Sequence, residues 1–121
     1  MSFDPVRIGV IGTGRFGILH AKTLLGLAES ELVALVDCSE KALAELPEDF
    51  SGIPKYSAPE DALRKSSAEA WVVSTSTADH VQVASMLLEQ DAHVLLEKPI
   101  SGNLQEALKL SPLVSQTQGK L

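Results

Sequence analysis

Residues Gly12-Thr13-Gly14-Arg15-Phe16-Gly17 read G-x-G-x-x-G. With glycine near 7% of residues in general, this spacing arises by chance in about 4% of chains of this length, so the pattern alone is weak. Its context sharpens it. The loop directly follows an apolar β-branched run, Val6–Ile11, and opens a stretch of helical period. That is where a glycine loop can hold a pyrophosphate on the unpaired N–H groups of a helix start. Gly12 would permit the tight turn, Gly14 would let backbone approach the phosphates, and Gly17 would let helix and strand pack closely. Asp37 closes a second apolar run, 20 residues beyond Gly17. An acid at that distance can accept hydrogen bonds from ribose hydroxyls. The competing reading of Asp37 is a strand-end carboxylate capping a helix that begins near Ser39. Arg15 could assist a pyrophosphate or simply be solvated. Two alternatives to a dinucleotide remain at this point: a loop that uses glycine for geometry alone, and a loop that holds S-adenosylmethionine.

The elements that must position these residues alternate. Val6–Ile11, Leu32–Val36, Ala70–Ser74 and His93–Leu96 are short apolar runs of strand type, with a short strand expected near Lys55-Tyr56. Between them lie stretches of helical period. Ile18, Ala21, Leu25 and Ala28 mark the apolar face of a first helix, and Val81, Ala84, Leu87 and Leu88 that of a helix over about 78–90. Ser57-Ala58-Pro59-Glu60 has the form of a capping box with proline at the permitted first position, which predicts a helix over about 59–65. Asn103, with Glu106 three residues on, predicts a last helix, which Pro112 should kink or split with Ser111 as a new cap. Uniformly apolar strands are expected where helices cover both faces of a sheet. The fold class is therefore α/β, a doubly wound parallel sheet of Rossmann type.

Composition sets the bounds. The chain has 121 residues, 45% of them hydrophobic, a length and content that fit one compact domain spanning 1–121. Ten Lys+Arg against 16 Asp+Glu give a net charge of −6, which argues against nucleic acid or an anionic membrane as partner. The single cysteine, Cys38, excludes a disulfide framework and a cysteine-based metal site, and no metal site is expected. No apolar run approaches the ~18 residues that span a bilayer. The start, Met1-Ser2-Phe3-Asp4-Pro5, has neither a basic nor an apolar leader segment, so a cytoplasmic protein is expected.

The second half separates the ligand readings. Glu97-Lys98-Pro99 follows the fifth expected strand, at the carboxyl edge where open α/β sheets bind ligands, and Thr75-Ser76-Thr77-Ala78-Asp79-His80 follows the fourth. Together with the glycine loop and Asp37, these stretches resemble the Gfo/Idh/MocA family of NAD(P)-dependent oxidoreductases, and the resemblance runs from Val6 to the chain end. It implies that Gly12, Gly14 and Gly17 hold the pyrophosphate, that Thr13, Arg15 and Phe16 of the same loop are cofactor-binding, and that Asp37 contacts the adenosine ribose. Ser74, Thr75 and His80 would line the nicotinamide-side ribose. Glu97 and Lys98 would lie beside the nicotinamide, with Lys98 the catalytic group that reaches the substrate hydroxyl or carbonyl. It further implies a cis Lys98–Pro99 bond. Three positions depart from the family pattern: Ser76 stands for proline, Thr77 for asparagine, and Asp91 for a glycine before strand five. Asp91 is tolerable there because aspartate can adopt the left-handed conformation. His20 and His93 read as packing or surface residues.

The function expected is that of the nucleotide-binding part of an oxidoreductase moving hydride between NAD and a carbohydrate- or polyol-like alcohol. NADP is disfavoured because a carboxylate at Asp37 would repel a 2′-phosphate and no arginine follows in Cys38-Ser39-Glu40. The family's C-terminal substrate domain is expected to be missing from this chain, which leaves strand five an exposed edge able to pair in a homo-oligomer. The alternative is a stand-alone dinucleotide-binding or sensor module without turnover.

Overall fold

The computed structural model describes residues 4–121, so the reading of Met1–Phe3 as free of a leader lies outside the described residues. Five parallel strands, β1 (Val6–Ile11), β2 (Ser30–Val36), β3 (Lys55–Tyr56), β4 (Ala70–Val73) and β5 (His93–Leu96), form one sheet in the order β3-β2-β1-β4-β5. The chain moves outward one way from β1 through β2 and β3, then crosses back to lay β4 and β5 on the other side. The order therefore reverses at β1, and the crevice between β1 and β4 at their carboxyl ends is the place where such sheets bind ligands.

Adjacent residues of each central strand go to opposite faces, and both faces are dry. Val10, Leu35 and Val72 pack with Ala21 of α1 (Arg15–Gly26) and with Phe50 of a short 3-10 turn. Their neighbours Ile11, Val36 and Val73 pack with Trp71 and with α4 (His80–Glu89) and α6 (Leu110–Gln116). This is why the strands read as continuous apolar runs instead of alternating. Gly9 sits opposite Trp71 in the β1–β4 register, and a Cβ there would run into the indole ring.

The helices follow the sequence with four corrections. In α1 the buried and half-buried face includes Gly17, Ile18, Ala21 and Leu24, with Gly17 close against the Gly12 carbonyl; Leu25 is exposed and Ala28 lies beyond the helix. The helix α3 (Pro59–Lys65) begins at proline as expected, but Ala58 is its cap residue and Ser57 caps nothing. Asn103 does cap α5 (Leu104–Leu108), its Oδ1 accepting from Glu106 N–H at 2.8 Å, whereas the Glu106 carboxylate turns to Lys109 at 2.7 Å, leaving the box half formed. The break before α6 falls at Lys109, three residues ahead of Pro112, so the proline sits in the first turn where its missing N–H costs nothing and Ser111 is no cap.

Asp91 adopts a φ of 61°, the left-handed conformation expected where the family has glycine, and its Oδ1 accepts from Gln118 N–H at 2.8 Å. The outer edge of β5 is partly met by the last residues, Val94 N–H donating to the Lys120 carbonyl at 2.8 Å, so it is less open than the sequence suggests. Among the described residues no helix is long and apolar enough to cross a membrane, and no cluster of three or more metal-ligating side chains occurs.

Candidate cofactor-binding site

Backbone hydrogen bonds carry the ladder one residue beyond each strand. Gly12 N–H donates to Val36 O at 2.7 Å, Asp37 N–H to Tyr56 O at 3.1 Å, Ser74 N–H to Ile11 O at 2.8 Å and Glu97 N–H to Val73 O at 3.0 Å. Gly12 and Asp37, picked from the sequence on chemical grounds, and Ser74 and Glu97, picked from the family resemblance, thus form one row along the carboxyl edge of the sheet. Sheet twist and pleat fix their spacing, and no loop has to be ordered separately to bring them together.

A cleft of about 710 Å³ opens above this row. Gly12, Gly14, Asp37, Ser74 and Thr75 line it. Gly12 has φ +94°, and a Cβ on it would lie 2.6 Å from the Ser74 carbonyl, so both conformation and space demand glycine. A Cβ on Gly17 would strike the Gly12 carbonyl, which is the close helix–strand approach read from the motif. At Gly14 nothing lies within 4 Å of a Cβ, so this glycine keeps open space in front of the backbone at the mouth of α1. Gly14 caps α1 without a side chain, and the first turn carries no acid, so its N–H groups and the positive end of the helix face the cleft unopposed.

Asp37 joins the two readings of it. Its Oδ2 accepts from both the N–H and the hydroxyl of Thr13, each at 2.9 Å, and its Oδ1 accepts from Ser39 N–H at 2.9 Å. Partial burial pushes the carboxyl up, but the bonds from Ser39 and Thr13 together outweigh it and hold Asp37 below the usual aspartate range. Three donors occupy a carboxylate with about four acceptor positions, which leaves Oδ1 able to take one more. Thr13, read as a phosphate contact, is buried with both donors committed to Asp37. It positions the acid.

Arg15, Phe16, His80, Glu97 and Lys98 stand away from the cleft lining. Arg15 and Phe16 are exposed on α1, the guanidinium 6.0 Å from the ring centroid. The Ser74 hydroxyl donates to the Gly12 carbonyl at 2.9 Å, locking β4 to the glycine turn. His80 is 2% exposed, with Nδ1 2.7 Å from the Pro99 carbonyl and Nε2 3.1 Å from the Thr75 carbonyl. Both nitrogens face protein, so His80 lines no part of the cavity. Glu97 and Lys98 lie at the β5 end of the row, and the Lys98–Pro99 bond is cis. Ser76, where the family has proline, holds φ −63°, a value proline itself would fix, so the loop keeps its course and a Ser76–Asp79 hydrogen bond of 2.9 Å is added.

Sequence reasoning missed two things here. Asp79, Gln82, Val83 and Met86 line the cleft from the approach to α4 and from α4 itself. Their spacing was the available signal: it is a second helical stripe beside the core stripe of Val81, Ala84, Leu87 and Leu88. His20, read as a bland mid-helix residue, lies with Nε2 2.7 Å from Glu97 Oε1. Its position one turn past Gly17, on the face that glycine holds to the sheet, pointed there.

A family model described as an oxidoreductase family with an NAD-binding Rossmann fold matches residues 6–121. The chain is 34% identical over 101 residues to a myo-inositol 2-dehydrogenase of Thermotoga maritima, covering 84% of this chain and 30% of the relative. It is 30% identical over 113 residues to a scyllo-inositol 2-dehydrogenase (NAD(+)) of Bacillus subtilis, covering 93% of this chain and 33% of the relative. Among solved structures, the WlbA dehydrogenase of Bordetella pertussis in complex with NADH and UDP-GlcNAcA superposes with a TM-score of 0.86 at 24% identity, over 96% of this chain and 35% of that one. That likeness is one of fold. The chain spans about a third of the length of the curated relatives it matches. With the motif row, the strand order and the family match in agreement, the chain belongs to the Gfo/Idh/MocA oxidoreductase family and carries its NAD-binding Rossmann fold.

Proposed function

We propose that this chain binds NAD in the cleft above β1, β2 and β4, as the cofactor-holding part of an oxidoreductase acting on a carbon-bound hydroxyl of a polyol or carbohydrate-like substrate. The observation that carries the reading is the pairing, in one cleft, of an open glycine at an uncapped helix start with an acid already ionised by its neighbours. The pyrophosphate would lie on the N–H groups at Gly14 and the first turn of α1, where a side chain would block approach. Asp37, with one acceptor position left, would take a hydrogen bond from the adenosine ribose, and its charge would reject a 2′-phosphate. The names of the matched relatives, an NAD(+) enzyme on scyllo-inositol and an NADH complex with a nucleotide sugar, support this choice of cofactor and substrate class.

The donor set fits the cofactor: backbone amides for phosphate, a carboxylate for a diol, and an ammonium at the far end of the row. Bound NAD would supply the hydride acceptor, and everything else is positioning by protein groups. Lys98 is exposed, and among the described residues its ammonium makes no ion pair. It would hydrogen-bond the substrate oxygen and steady the negative charge that builds there as the hydroxyl proton leaves to water. Titrating NAD into 15N-labelled protein tests the reading. Shifts concentrated at Gly12, Gly14, Asp37 and Ser74 are expected; shifts confined to α2 (Glu40–Ala44) or α5 would refute it.

A further inference from the structure

We infer that His20 and His80 are positioning residues that brace the Glu97-Lys98-Pro99 turn from the two faces of the sheet and thereby fix the aim of Lys98. The inference rests on the cofactor reading above, since it assigns Lys98 a task there. Helices α1 and α4 cover opposite faces of the sheet, and each sends one histidine to the same three-residue turn. His20 Nε2 meets Glu97 Oε1 at 2.7 Å, while Glu97 Oε2 accepts from Lys98 N–H at 3.3 Å. His80 Nδ1 meets the Pro99 carbonyl at 2.7 Å, and its Nε2 lies 3.1 Å from the Thr75 carbonyl in the β4 loop. A neutral imidazole has one N–H to give, and the shorter contact assigns it to Pro99.

The Glu97 side chain, the Lys98 amide and the Pro99 carbonyl are each held, while among the described residues the Lys98 ammonium makes no hydrogen bond or ion pair. Glu97, one residue away, lies near enough for its charge to interact with that ammonium, yet the two form no ion pair among the described residues. The imidazole of His20 bonds one carboxylate oxygen and the lysine's own amide the other, which holds the Glu97 carboxylate in place beside the turn. The hydrogen bond from His20 is also the main reason the Glu97 carboxyl lies below the usual glutamate range. A lysine on a flexible four-carbon stem is aimed chiefly by its backbone, so fixing the turn on both sides is how this fold can aim it.

The test has two arms, on 15N-labelled protein. In the first, {1H}–15N heteronuclear NOEs at Lys98 and Ile100 are compared with those of β4 and α1. His20→Leu is expected to lower the values at the turn and leave β4 and α1 unchanged, and His20→Gln, which keeps an N–H donor near the Nε2 position, is expected to restore them. His80→Asn, which keeps a donor near Nδ1, should hold the turn better than His80→Leu. An equally rigid turn in His20→Leu would overturn the brace. In the second arm, NAD and ADP-ribose are titrated calorimetrically, since they differ only in the nicotinamide ring. His20→Leu is expected to lose about 5- to 10-fold in affinity for NAD and less than about 2-fold for ADP-ribose, a loss typical of a modest coupling between packed groups. Equal loss for both ligands would mean general damage and would also overturn it. If the wild type binds neither ligand, the cofactor reading fails, and the NOE arm alone decides the brace.

Discussion

At the scale of the residue, Asp37 does two things with one carboxylate: it organises Thr13 and Ser39 and keeps an acceptor position for a ligand. Because its folded carboxyl lies below the ordinary aspartate range, its contribution to stability is complete above the unfolded value and is lost as pH falls through the folded one. Melting curves of wild type and Asp37→Asn should therefore differ most near neutral pH and converge in acid. A gap that widens on acidification would contradict the assignment. The two cleft glycines separate conformation from ligand space. Gly12→Ala forces a Cβ into φ +94° against the Ser74 carbonyl and should destabilise the fold by about 1–3 kcal/mol. Gly14→Ala meets nothing, so its melting temperature should stay close to wild type while NAD affinity falls. Denaturant unfolding and calorimetry distinguish the two. Asp37 and the loop glycines were legible in the sequence because their roles are local, set by a strand end or a helix start. His20 was not, since its partner Glu97 is 77 residues away and only the strand order, with β4 and β5 laid beside β1, brings them together.

At the scale of the element, strands and helices were legible wherever burial imposes a period. The four long strands and the α4 core stripe were read correctly, and β3 was placed at Lys55–Tyr56. Caps were less legible, because a serine such as Ser57 or Ser111 can bond water as well as a helix end, and chain direction decides. The stretch after α2 (Glu40–Ala44) gave only turn formers, yet it folds Phe50 fully into the core under Leu35 and Ala21. No periodicity signals a single buried ring in a short turn. Phe50→Ala should cost about 3–5 kcal/mol in urea unfolding, the usual loss for a buried aromatic. It should leave the cofactor cleft intact, since Phe50 does not line it. A loss below about 1 kcal/mol would mean that this face of the sheet is not the tightly packed layer described.

At the scale of the whole molecule, four residues from four parts of the chain reach one sheet edge, and the strand order alone accounts for that convergence. Phe16, Leu95, Leu104 and Leu108 are each more than half exposed, and Lys98 stands open to water. Residues 1–121 are therefore expected to bind NAD yet show no NADH production with polyols or sugars. Holding a substrate against the nicotinamide is worth about 7–11 kcal/mol of barrier, and none of the described residues forms a wall to do it. Steady NADH absorbance growth from this polypeptide would overturn that expectation. The central claim is that Asp37 and the glycine loop make the cleft an NAD site, and the most direct measurement is calorimetric titration of NAD and NADPH into wild type and Asp37→Ala. Wild type should prefer NAD by about tenfold or more, and Asp37→Ala should lose most of that preference, as expected for removal of a charge-assisted hydrogen bond and a like-charge repulsion. Equal or tighter binding of NADPH by the wild type, or an Asp37→Ala variant that still prefers NAD as strongly, would contradict the claim.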